Sequence, residues 1–102
     1  MGISMKKAAA NCPIGKVVGL LGDSCSILIL RDLLEGPKRY SELACSLQAS
    51  SRTLAKKLKH LEREGLIEHR QVKAHGVYRL SNKGAAFQKV ADAMRTYGKK
   101  YL

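Results

Sequence analysis

Tryptophan is absent from this 102-residue chain, phenylalanine occurs once and tyrosine four times. Few large rings leave Leu, Ile, Val and Ala to fill the interior, which favours helices packed on one another. Acidic side chains are also scarce, with 8 Asp and Glu against 19 Lys and Arg, for a formal charge of +11. An imbalance of that size points to an anionic partner, either nucleic acid or a membrane surface. No apolar run approaches the ~20 residues of a membrane-spanning helix. The opening MGISMKKAAANCP has two lysines but no apolar core, so it does not read as a secretory signal. The three cysteines, Cys12, Cys25 and Cys45, are odd in number and lack CxxC spacing. That argues against a disulfide framework and for a reducing cytoplasm.

Catalytic signatures are missing as well. There is no Gly-rich phosphate loop, no cluster of carboxylates and no motif pairing a nucleophile with His, so the expectation is neither an enzyme nor a cofactor protein. His60, His69 and His75 have no ligand spacing with the cysteines, which argues against a metal site.

What remains is one domain's worth of chain with 45% hydrophobic residues, enough for a small core that association would help to stabilise. Residues 1–11 are small, polar and unpatterned and read as a flexible N-terminal segment; residues 12–102 read as the domain. Pro13 suits the first turn of a helix to about Leu21, ended by Gly22. Asp23 or Ser24 can cap a second helix whose apolar positions, Ile27 to Leu30, Leu33 and Leu34, nearly surround it. Such a helix belongs at the centre, and Gly36-Pro37 stops it. Ser41 is then a candidate cap for a short helix, Glu42 to Leu47. After the break Gln48-Ala49-Ser50, another helix runs from Ser51 to about Glu64 and ends at Gly65. Two short helices joined this way, with leucines to face each other, read as a helix-turn-helix. LIEHRQV and GVYRLS, separated by KAHG, read as a β-hairpin. Ser81 can cap a last helix to about Lys99, along which Phe87, Val90, Met94, Tyr97 and Tyr101 make an apolar seam.

Charge is concentrated in the middle of this plan: residues 36–79 carry ten basic and four acidic side chains. On a wheel of about 100° per residue, Leu54, Leu58 and Leu61 mark the core side of the Ser51 helix. Arg52, Lys56, Lys59 and Arg63 fall opposite, while Glu62 and Glu64 lie off that stripe. A merely solvated helix back usually interleaves both signs, because i,i+4 ion pairs stabilise it. A stripe of one sign on the second helix of a helix-turn-helix is placed to enter a DNA major groove. The hairpin, with Arg70, Lys73, His75 and Arg79, can then serve as a wing along a neighbouring minor groove. Ser51, Arg52, Thr53 and Lys56 are the candidates for base edges. Lys59, Arg63, Lys38, Arg39 and the wing are candidates for phosphates. Two alternatives stay open: a chromatin-like protein that coats DNA without sequence preference, and a winged-helix module that binds an acidic protein.

Cys12 precedes Pro13 at a helix N-terminus and lies near Lys6, Lys7 and Lys16 in sequence, a setting that favours the thiolate, though a small buried or inert thiol fits as well. Cys25 and Cys45 lie on apolar-leaning helices and read as packing residues.

These segments resemble one known family. CPIGKVVGLLG, LILRDLLEGPKRYSEL, RTLAKKLKHLEREGLIEHR and LSNKG are similar to the HxlR-type winged helix-turn-helix transcriptional regulators, relatives of the MarR superfamily, over about Cys12 to Leu102. The resemblance implies a mainly α fold with a small β-hairpin, and a cytoplasmic homodimer that binds double-stranded operator DNA as an inverted repeat. It implies a dimer interface on the first and last helices, here Val17, Val18, Leu21, Phe87, Val90, Met94, Tyr97 and Tyr101. It also implies that Cys12 stands where some members sense oxidants or electrophiles. The chain departs from the family where relatives carry Gly-Gly-Lys-Trp; here the residues are Gly22-Asp23-Ser24-Cys25. The wing is also short and lacks the usual prolines.

Overall fold

The computed structural model describes residues 12–102, so the expectation of a separate segment over 1–11 lies outside the described residues. Helix α1 (Pro13–Leu21) meets α2 (Ser24–Leu33) at a 90° bend. Then come β1 (Lys38–Arg39), α3 (Tyr40–Leu47), α4 (Ser51–Arg63), β2 (Ile67–Val72), β3 (His75–Leu80), α5 (Asn82–Ala85) and α6 (Gln88–Tyr101).

Local chemistry sets most of these limits. Asp23 caps α2, its Oδ1 accepting from the Ser26 amide at 2.8 Å and its Oδ2 from the Ser26 hydroxyl at 2.9 Å. Ser26 is thereby satisfied although fully buried. Ser50 caps α4, accepting from the Thr53 amide at 3.2 Å. Gly65, at φ 79, ends that helix in the left-handed conformation that glycine adopts without a Cβ penalty.

The core forms where these helices meet. Ile29, Leu30 and Leu33 of α2 pack with Leu43 of α3, Leu54, Leu58 and Leu61 of α4, and Leu66, Ile67, Phe87 and Ala91. The three α4 leucines are the side expected to face inward, and all are buried.

Three expectations need correction. The short helix starts at Tyr40 rather than Glu42, because the Arg39 amide donates to Glu42 Oε1 at 2.8 Å and makes Arg39, not Ser41, the cap. The hairpin is part of a three-stranded antiparallel sheet in the order β1-β3-β2, with Lys38 opposite Tyr78 and Arg39 opposite Val77. Its turn is Lys73-Ala74 alone, since Val72 already pairs with His75. Finally, the last helix is two helices. Ser81 caps only α5, and the Phe87 amide bonds back to Gly84 at 3.0 Å in a tightened turn. That turn brings the lone Phe into the core before α6 begins.

Because Leu58 joins α4 to the centre of the domain, Leu58→Ala should lower stability by about 2–5 kcal/mol, through lost burial plus a residual cavity. Urea unfolding followed by circular dichroism checks this.

Candidate nucleic-acid interface

The outward face of α4 is cationic and free. Ser51, Arg52, Thr53, Lys56, Lys59 and Arg63 are all exposed. Among the described residues, none of Arg52, Lys56, Lys59 and Arg63 takes part in an ion pair, although six other cations do. Thr53 is partly engaged, since its hydroxyl accepts from the Ser50 hydroxyl at 3.0 Å. Lys57 is the exception on this helix. It turns aside to Asp23, with Nζ 3.4 Å from Oδ2, and its side chain is only 29% exposed.

Helix α3 holds the start of α4 in place. The Tyr40 hydroxyl donates to the Ser51 carbonyl at 3.0 Å, so the first turn of α4 is tied across the helix-turn-helix.

The sheet adds a second group of cations. Residues paired across strands share a face, because side chains alternate along each strand. Ile67 and Leu80 form the inward row, so Glu68, Arg79, Arg70, Val77 and Arg39 lie on the outward face. Arg39, Val77 and Arg70 make one row across all three strands. The sequence reading missed this alignment because β1 is two residues long and carries no alternation.

Not every expected wing cation is free. Glu68 Oε1 holds Arg79 Nε at 2.9 Å and Arg70 Nη2 at 3.7 Å. Lys38 lies on the inward-facing row and pairs with Glu35 at 3.3 Å. Lys73 and His75 are exposed at the tip, with Lys73 in the left-handed region at φ 56. On the inward side His69 stacks flat on Tyr78, with ring centroids 4.2 Å apart and planes 5° apart. Gly76 permits this, since a Cβ there would lie 2.6 Å from His69 Nε2.

A different face is apolar. Ile14, Val17 and Val18 on α1 are exposed, as are Val90, Met94, Tyr97 and Tyr101 on α6; Tyr97 is 60% exposed. Leu21 and Phe87 do not belong to this surface. They are 4% and 7% exposed and belong to the buried core cluster, so they are core residues of the protomer.

Cys12 caps α1, its Sγ accepting from the Gly15 amide at 3.1 Å, and it is exposed. Lys6 and Lys7 lie outside the described residues. Cys25 packs against the core; burial pushes its thiol up, the nearby Asp23 charge adds to that, and Lys57 opposes both. Cys45 is exposed on α3, which corrects its assignment as a packing residue: the opposite side of that short helix, at Leu43, meets the core.

A helix-turn-helix whose second helix leads into an antiparallel hairpin defines the chain as a winged helix-turn-helix protein. The profile of the HxlR-like helix-turn-helix family matches residues 20–102, and the chain belongs to that family. An uncharacterized HTH-type transcriptional regulator of Synechocystis is 36% identical over 95 residues, which cover 89% of this chain and 70% of the relative. The reduced form of the transcriptional regulator YodB from Bacillus subtilis superposes with a TM-score of 0.77 at 30% identity, covering 88% of this chain and 93% of YodB. Its quinone-bound form gives 0.77 at 35% identity, covering 88% and 99%.

The Asp23 carboxyl links this interface to the core. Burial works to raise its pKa, but the Ser26 amide and hydroxyl and the Lys57 ammonium outweigh it and hold the group below its ordinary value. A carboxylate held down in the folded state stabilises above its unfolded pKa, and that contribution disappears as pH falls through the folded value. The stability difference between wild type and Asp23→Asn should therefore be present near neutral pH and vanish in acid. Paired urea titrations along a pH series check it.

Proposed function

We propose that this chain is a DNA-binding transcriptional regulator that acts in the cytoplasm as a homodimer, with α4 in the major groove and the β2–β3 wing along a neighbouring minor groove. The observation that carries the reading is the unpaired cationic face of α4, formed by Arg52, Lys56, Lys59 and Arg63 opposite a buried leucine seam. Helix-turn-helix regulators place their second helix in this way. Ser51, Arg52, Thr53 and Lys56, in the first turns, reach base edges; Lys59 and Arg63, farther along, hold phosphates. At the wing, Lys73 and His75 are free to approach the backbone. Arg39 extends the cationic row, and Arg70 and Arg79 contribute what their shared Glu68 leaves unneutralised. The apolar α1–α6 face is the dimer surface, and a twofold dimer reads an inverted repeat with half-sites about one helical turn apart. Relatives named as transcriptional regulators support the reading, which contains no catalytic step.

A thiol response at Cys12 is part of the same proposal. Cys12 is exposed at a helix N-terminus beside the proposed dimer face, and YodB has been solved in quinone-bound and diamide-treated forms. Oxidation or alkylation of Cys12 would shift that interface and release DNA.

Selection of bound fragments from the source genome, repeated at two salt concentrations, tests the reading. An inverted repeat supports it. Uniform recovery points to a coating protein, and no recovery points to a module that binds an acidic protein. On the recovered duplex, Lys59→Ala should weaken binding about equally for all sequences and lower the log–log salt slope by about 0.9. Arg52→Ala should cost about 1–3 kcal/mol and relax preference at one base pair. Gel shifts at several salt concentrations measure both.

Diamide should release the wild type from the same duplex and leave Cys12→Ser bound. Equal responses would remove Cys12 from the mechanism.

A further inference from the structure

The C-terminal end of α4 makes an unusual set of contacts. A helix ends with carbonyls that have no partner within the helix and with a partial negative charge. Beyond α4, three consecutive carbonyls, those of Glu64, Gly65 and Leu66, all find donors in one turn of chain nineteen to fifteen residues later. The Lys83 ammonium donates to the Glu64 carbonyl at 2.9 Å. The Ser81 hydroxyl donates to the Gly65 carbonyl. The Ser81 amide donates to the Leu66 carbonyl at 3.0 Å. Gly84 completes the contact, since a Cβ there would overlap the Leu66 carbonyl oxygen and push the two segments apart. The same Ser81 hydroxyl accepts from the Gly84 amide at 3.1 Å, so the clamp is also the cap of α5.

We infer that Lys83, together with Ser81, is a positioning residue for DNA binding, fixing the end of the recognition helix to the segment that leads into α6. This rests on the DNA-binding reading above and adds how that site is held. Lys83 is the ion among the three donors, and an ammonium at a helix C-terminus is favoured by the helix dipole as well as by the hydrogen bond. Its head is anchored to a backbone carbonyl, so in this proposal it acts through α4 and not on phosphate. The consequence is mechanical. Helix α4 is tied at its start by Tyr40, in its middle by the Lys57–Asp23 pair and at its end by this clamp. Only the last of these ties reaches the C-terminal helices, which carry the α6 part of the proposed dimer face. Movement of α6 against a partner is therefore passed to the end of the recognition helix across three hydrogen bonds.

The test uses the full chain and two variants, Lys83→Met and Lys83→Arg, with a 40-base-pair duplex of mixed sequence as the DNA probe. In Lys83→Met, hydrogen exchange at the amides of Ser81 and Gly84, which donate to the Leu66 carbonyl and the Ser81 hydroxyl, should quicken about tenfold, with no change at Leu54 or Leu58. The dissociation constant for the duplex should rise about three- to tenfold while the salt slope stays as in wild type, because no phosphate contact is lost. Lys83→Arg, which keeps a cationic donor, should restore both. Unchanged exchange in Lys83→Met overturns the clamp. A salt slope lowered by about one unit also overturns it, by making Lys83 a phosphate ligand. If wild type fails to bind the duplex although the exchange result holds, the DNA-binding reading falls, and the positioning role falls with it.

Discussion

The structure depends on the burial of one side of α4. Leu54, Leu58 and Leu61 are held by α2 and by the first residues of the sheet, and this fixes the rotation of the helix about its own axis. Rotation is what separates a binding face from a solvated one. With the leucines inward, Arg52, Lys56, Lys59 and Arg63 have nowhere to point but outward, and no acid among the described residues pairs with them. The nearby acids, Glu62 on α4 and Glu64 just past its end, lie off that line. The charge of this protein is thus sorted by the hydrophobic effect acting on its neighbours, with each buried leucine contributing about 1.5–3 kcal/mol to holding that rotation.

Secondary contacts refine the placement. Asp23 both caps the central helix and holds Lys57, which lies beside the leucine seam and not in the cationic stripe. Glu68 holds two arginines of the sheet at one carboxylate oxygen, which leaves Lys73 as the free cation of the wing tip, beside the exposed His75. The distribution of the few acids, more than that of the many bases, decides which cations are available to an anionic partner.

Much of this was legible in the sequence because the signals were periodic or capped. Helices α1, α2 and α4 have apolar spacing, a capping side chain and a glycine at or near the end, and their positions follow from those residues. The parts that escaped are those where tertiary contact overrides a local signal. β1 is too short to alternate and exists only because β3 offers it a partner. Ser41 looked like a cap, but Glu42 reaches back to the amide before it. Apolar spacing predicts a seam continuous from Phe87, yet Phe87 is drawn into the core and the exposed face begins at Val90. Leu21 failed for the same reason: an apolar residue on an end helix is equally compatible with either side. The outward direction of Arg52, Lys56, Lys59 and Arg63 needs no such long-range information, because it follows from the leucine spacing of the helix itself.

Amide chemical-shift mapping during titration with double-stranded DNA tests the central claim most directly. The account expects the largest shifts along Ser51–Arg63 and at Lys73 and His75, with the α1–α6 apolar face little affected. Shifts concentrated on that apolar face, with α4 unmoved, would contradict it.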